Sequence, residues 1–322
     1  MRRLLLVLTT ILLLAGLSCE EGYVPVGPVW QEIELNFEVF DDVVYDDLKD
    51  LAPFGLNDVW LVGENGLIYH YRADEDDELF MPCDWTLFAV DMRSPINGFA
   101  CGEMGTILYY NGYLWEVQPT GFWGNLYDII MFSWDDAWAV GEGGTVLHYN
   151  GNSWQRMPLF YFDGENWQPY YTTEDLRCID GLSSDDVWIC GTGGILFHWD
   201  GNVTGVIEPE MEDRHTTLTL NGIKQIEPGK FYVCGENGFL AEYDNGVWTD
   251  IPTDTYLGLN SIDINGDLGF VVGNEGRILS FDGESAELNY IVSDGHMLNS
   301  VVVTSPNEAW ACGNYGKFLR YR

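Results

Sequence analysis

Glu64, Glu103, Glu142, Glu236 and Glu275 each lie between the two glycines of a Gly-x-x-Gly pair, and Thr192 and Asn314 fill the same place in two further pairs. Such a pair between apolar runs marks a tight reversal, so these side chains belong to exposed turns. A second set is the second residue of a recurring Leu-x-x-apolar unit: Lys49, Phe88, Tyr127, Arg177, Asn221, Asn260 and Asn299. If both sets share one face, they form a mouth of carboxylates, amides and aromatics suited to a cationic, peptide or sugar ligand. Simple tolerance of Glu and Asn in exposed turns is an equally open reading.

The remaining reactive residue types do not gather in the same way. His70, His148 and His198 each follow the second glycine of a different copy by four residues, on strands that diverge, so they cannot meet at the short bonds a metal needs. Cys101, Cys190, Cys234 and Cys312 stand just before a first glycine, where Val62, Val140 and Val272 stand elsewhere, and read as small buried hydrophobes. Cys178 could face Cys190 across adjacent strands, and an oxidising compartment permits that disulfide, but the register is open. Cys83 lies elsewhere. No metal or cofactor is expected; a weak calcium candidate, Asp263-Ile264-Asn265-Gly266-Asp267, is shorter than an EF-hand loop and reads better as a turn. A sialidase-like enzyme needs clustered arginines, a tyrosine nucleophile and an acid. Arg72, Arg93, Arg156, Arg177, Arg214, Arg277, Arg320 and Arg322 scatter over different repeat positions, with only Arg177 near the mouth, so no catalytic residues are expected.

The elements that position these residues recur seven times. The grammar is an aromatic, two residues, Gly, two residues, Gly, one residue, two apolar residues, one residue and a second aromatic. The first aromatics are Trp60, Phe99, Trp138, Trp188, Tyr232, Phe270 and Trp310, and the first glycines follow at intervals of 39, 39, 50, 44, 38 and 40 residues. Aromatic and β-branched runs on either side of the glycines suit paired strands, with the glycines supplying positive φ between them. Asn111-Gly112, Asn150-Gly151, Asp200-Gly201, Asn245-Gly246 and Asp282-Gly283 mark a second reversal, and Trp115, Trp154 and Trp248 open a further strand. The Leu-x-x-apolar unit is the innermost strand, expected to be apolar on both sides because residues three apart face opposite ways. Four strands in each of seven units of about forty residues indicate an all-β, seven-bladed β-propeller with antiparallel blades.

Residues 1–18 carry Arg2 and Arg3 before an apolar run from Leu4 to Leu17, the layout of an export signal. Gly16-Leu17-Ser18-Cys19 resembles a bacterial lipobox, with Leu where a small residue is common and Gly where Leu is common, which makes Cys19 the expected lipidation site and residues 19–29 the linker; an ordinary secretion signal cut nearby is the alternative. The tether from residues 20–29 spans about 35 Å at most, which places the propeller, residues 30–322, at the cell envelope. Trp30 to Phe37 alternates like a fourth strand, while the last copy ends at Arg322 after its third, so residues 30–37 are expected to close blade seven. Two insertions stand out: residues 159–173, an aromatic excursion that leans toward a binding role, and residues 202–216 with the polar run Glu208 to Arg214.

The formal net charge is −37, and loss of a signal with Arg2 and Arg3 makes it more negative. Nucleic acid and anionic membrane surfaces are therefore poor partners. The Trp-x-x-Gly-x-x-Gly-x-apolar unit, followed by Asn/Asp-Gly and Trp, resembles the seven-bladed repeats of the photosystem II assembly-factor type, within the wider BNR/Asp-box-like class of bacterial exported propellers. A true Asp-box, Ser-x-Asp-x-Gly-x-Thr-Trp, is not matched; Asp163-Gly164-Glu165-Asn166-Trp167 echoes part of it. The resemblance implies a scaffold or protein-binding factor. The expected function is a surface-anchored, non-catalytic monomer that recognises a protein or glycan through one face. A glycan-processing enzyme of sialidase or lyase type is the alternative.

Overall fold

The computed structural model describes residues 28–35, 47–55, 57–162, 165–201, 208–209 and 215–322. The export segment 1–18, Cys19 and most of its linker, residues 36–37 of the closing strand, residues 163–164 and residues 210–214 of the polar run lie outside the described residues.

Seven four-stranded antiparallel sheets are present, each ordered from an inner strand outward. The inner strands are Leu48–Pro53, Leu87–Ser94, Leu126–Ser133, Leu176–Ser183, Leu220–Glu227, Leu259–Asn265 and Leu298–Ser305, in blades one to seven. The second strand of every blade ends in the first glycine, and nearly all of it is buried. The core is a set of slabs between successive blades. Leu87, Val90 and Met92 of blade two pack on Trp60, Val62 and Ile68 of blade one. Leu48 and Leu51 of blade one pack on Trp310, Cys312 and Phe318 of blade seven, which closes the ring.

Closure works as expected but with a shorter strand. Trp30–Glu32 pairs with the last strand, with Trp30 opposite Tyr321. Val29 N–H donates to Arg322 O at 3.0 Å and Ile33 N–H to Phe318 O at 2.8 Å, extending the ladder at both ends. The indole of Trp30 meets the Phe270 ring edge-on at 4.9 Å, so the strand is also anchored in the slab between blades six and seven.

Two local expectations are corrected. Only the second glycine of each pair takes positive φ. The first is extended, at −171° in Gly102, and is glycine because a Cβ there would lie 2.0 Å from Thr86 O. The inner strand, in turn, is not apolar on both sides. Each ladder slips by one residue between the first and third positions of the inner strand, in all seven blades. That β-bulge puts the leucine and the apolar residue three further on against the same neighbour, the preceding blade. The other face, toward the following blade, is mixed, with carboxylates such as Asp50, Asp91 and Asp128 beside Ala52, Ala89 and Ile130.

The repeat-position histidines have a shared structural task. His70, His148 and His198 reach Asp58, Asp136 and Asp186 at 2.8, 3.0 and 2.8 Å and stack on Trp60, Trp138 and Trp188. Blade seven places Glu308 and Arg320 at the same stations, with the guanidinium 4.7 Å over Trp310. In blade five the charges are exchanged, Lys230 pairing with Glu242.

Cys178 and Cys190 are opposite one another in the ladder and form a disulfide. The same pairing elsewhere sets Cys101 against Ala89, Cys234 against Gly222 and Cys312 against Ser300, so only blade four has both thiols. Burial raises the Cys101, Cys234 and Cys312 thiols above the ordinary range and keeps them protonated. The first insertion folds as a hairpin, Phe160–Phe162 against Trp167–Pro169, beside a cavity of about 510 Å³.

Candidate functional site

The bulge residue of each inner strand is the extra one, and a bulge re-aims its side chain. In the seven blades that residue is Lys49, Phe88, Tyr127, Arg177, Asn221, Asn260 and Asn299. All seven line one cavity of about 150 Å³ at the end of the axis where the Gly-x-x-Gly turns emerge. The ring expected at the mouth is therefore assembled.

Its members divide into two arcs. Asn221, Asn260 and Asn299 each donate from Nδ2 to the carbonyl of the leucine that starts the next inner strand: Leu259 at 3.0 Å, Leu298 at 2.8 Å and Leu48 at 2.6 Å. These amides join neighbouring blades. The other four do not bond the next blade's backbone. Lys49 Nζ lies 3.1 Å from both Asp47 and Glu64. The Arg177 guanidinium sits 4.2 Å over the Tyr127 ring, and both groups reach Asp175 at 3.3 Å. Phe88 meets Tyr127 at 5.6 Å between ring centres.

The turn residues surround this ring, and most have a second task. Glu103, Glu142 and Glu236 accept the N–H of Thr86, Asn125 and Thr219, just ahead of the inner strand, at 3.0, 3.1 and 3.1 Å. Their own N–H groups donate back to the carbonyls of those residues. Thr192 makes the same double contact with Asp175. Glu64 has its carboxylate on Lys49. Glu275 departs from the expected set: Asn274 occupies the station of the other glutamates, donating to Gly258 O at 2.9 Å, while Glu275 sits at the turn tip with φ 55°. Glu275 is the second residue after its first glycine, where the other four glutamates are the first.

Sequence reasoning missed the carboxylates below the ring. The inner strand is the edge of its sheet, and its inward N–H groups need acceptors. The preceding blade supplies them. Asp50 and Asp128, third in their strands, accept from Val90 and Ile179 at 2.9 Å. Asp91, Asp180 and Asp263, fifth in theirs, accept from Met131, Gln225 and Val303 at 2.7 Å. Burial pushes the Asp50 carboxyl up to about 6 and raises Asp91, Asp128 and Asp180 as well. Lys224, also fifth in its strand, lies 3.0 Å from Asp263 and 4.0 Å from Asp180. The charge of Asp263 raises its ammonium pKa above the ordinary value, so it stays protonated. Asp263 is thus committed to Lys224 and Val303, and Gly266 makes the turn, φ 65°, in what had been a calcium candidate. Aspartate at the third or fifth position was the available signal in the sequence.

Outside the aromatic arc the rim is apolar. Trp85, Met104 and Trp123 are 46, 43 and 77 % exposed on the loops and turn of blades two and three. These too were not singled out from sequence.

No family model matches the chain, and no curated protein matches it. Among solved structures the chain is similar to "YCF48 bound to D1 peptide", with TM-score 0.70 and 17% identity over 91% of this chain and 94% of that one. It is also similar to YCF48 from Cyanidioschyzon merolae, at 0.67 and 13% identity over 91% and 98% of the two chains. A third similarity is to the WD40 β-propeller domain of Doa1, at 0.67 and 11% identity over 86% and 93%. The class these likenesses and the sheet order define is the seven-bladed β-propeller.

Proposed function

We propose that the protein is a non-catalytic binding module, exported and tethered through Cys19, that holds a peptide segment of a protein partner on the face bearing the ring. One observation carries this reading. Lys49, Phe88, Tyr127 and Arg177 converge at the axis in the four blades whose bulge residue does not bond the next blade's backbone. Aromatic rings beside two cations and backbone-rich turns offer a peptide both side-chain and main-chain partners. The solved neighbour described as bound to a peptide supports the same choice. Arg177 is the single guanidinium of the ring and is engaged by Asp175, which disfavours a carboxylate-clamping glycosidase.

The test is to pan the immobilised protein, and a Phe88→Ala/Tyr127→Ala variant, against a displayed random 12-residue peptide library, with a glycan array and a turnover assay in parallel. Peptides enriched on the wild type and lost from the variant are expected. Saturable glycan binding without peptide enrichment, or release of product from a glycan, would overturn the reading.

A further inference from the structure

We infer that the peptide held on this face is basic: Arg or Lys side chains seated at two matched rim stations, with an apolar side chain directed inward to the Phe88–Tyr127 pair. This rests on the peptide-binding reading and adds the ligand's chemistry to it.

The stations repeat in adjacent blades. The Glu103 carboxylate holds Thr86 N–H, the residue directly after exposed Trp85. The Glu142 carboxylate holds Asn125 N–H, two residues after exposed Trp123, and lies 3.0 Å from where a Cβ on Gly124 would stand. Each station therefore sets an exposed tryptophan one or two residues along the chain from the N–H that holds the carboxylate. An indole face next to a carboxylate is the arrangement that a guanidinium or ammonium satisfies on both sides at once. Glu236 makes the same backbone clamp in blade five, but the two residues before its partner Thr219 are Thr217 and Leu218, neither of them aromatic. The pairing of indole with carboxylate belongs to the aromatic arc.

Two further observations agree. Met104 is 43 % exposed at the turn tip next to Glu103, with φ 56°, a conformation that Glu275 and Tyr315 share in blades six and seven. The thioether it exposes beside Glu103 is an adaptable contact for a long aliphatic stem. The two cations nearest the arc, Lys49 and Arg177, are already neutralised by Asp47, Glu64 and Asp175, so the surface that remains is net acidic in a chain of formal charge −37.

The experiment reads the sequences of the enriched 12-residue peptides, then titrates one synthetic consensus peptide and its Lys/Arg→Glu counterpart against three proteins. These are the wild type, Trp85→Ala/Trp123→Ala, and Glu103→Gln/Glu142→Gln. Enriched peptides should carry at least two basic residues around an apolar one. Both variants should bind the consensus at least about tenfold more weakly with unchanged thermal unfolding, because the indoles are exposed and Gln still accepts the backbone N–H. The acidic counterpart should not bind. Enrichment of acidic or neutral peptides, or undiminished binding by the Trp variant, overturns the inference while leaving peptide binding intact. Failure to enrich any peptide overturns both.

Discussion

Asn299 and Phe88 occupy the same bulge position two blades apart, yet one bonds the neighbouring blade and the other opens to the axis. In blades five to seven the amide at this position reaches across to a leucine carbonyl, at 2.6 Å for Asn299. In blades two and three the same position carries rings that touch each other and, through Tyr127, Arg177. A single backbone irregularity repeated seven times thus supplies inter-blade joints on one arc and mouth-lining groups on the other. The difference is a matter of side-chain chemistry. An amide short enough to reach the next strand becomes a joint, and a longer or aromatic side chain cannot make that bond and projects into the mouth.

The largest expected effect comes from the strongest joint below the ring. Asp263→Ala removes the buried acceptor of Val303 N–H and the nearest counter-charge of half-buried Lys224, and should lower unfolding stability by about 3–5 kcal/mol in chemical denaturation. Next is blade four, where the arcs meet. There the third position is Cys178, whose disulfide lies within its own blade. Cys178→Ser with Cys190→Ser, bridging residues 12 apart, should lower stability by about 3 kcal/mol. Denaturant midpoints for both would show whether the boundary blade depends on its covalent bond as much as the others depend on carboxylates.

A smaller effect is expected from pH. Asp50, Asp91, Asp128 and Asp180 have carboxyls raised by burial, so the folded protein retains protons that the unfolded chain has released. For Asp50 the window runs from the ordinary 3.8 to about 6. The contribution of each group is greatest at the acid end, and that of Asp50 is lost as pH rises through about 6. Unfolding midpoints should rise on acidification from pH 7 to pH 5, and Asp50→Asn, which keeps an acceptor for Val90 N–H, should flatten that slope. A slope unchanged by Asp50→Asn would separate this carboxyl from the pH response.

The blade count and the membership of the ring were legible because both depend on glycines and leucines that sterics fix in place, and the closing strand because Trp30 opens an alternating run while the last copy stops after its third strand. Gly102 cannot be larger without meeting Thr86 O, so the repeat advertises itself. The bulge was not legible, since Leu126 and Ile129 are both buried whether or not the strand slips. Without it, the leucine and its apolar partner were assigned to opposite faces, and the face carrying Asp128 was taken for apolar. Glu275 was grouped with the other glutamates although it is second, not first, between its glycines, and the second place is the turn tip. The disulfide required a register that Cys178 opposite Cys190 now supplies.

The division between the arcs is tested most directly by measuring two quantities, denaturant stability and affinity for an enriched peptide, on Asn260→Ala/Asn299→Ala and on Phe88→Ala/Tyr127→Ala. The asparagine variant should lose about 1–2 kcal/mol per joint and retain its affinity. The aromatic variant should lose at least about tenfold in affinity and show the smaller change in stability. Loss of binding in the asparagine variant at undiminished stability, or an aromatic variant that binds as the wild type does, would contradict the division.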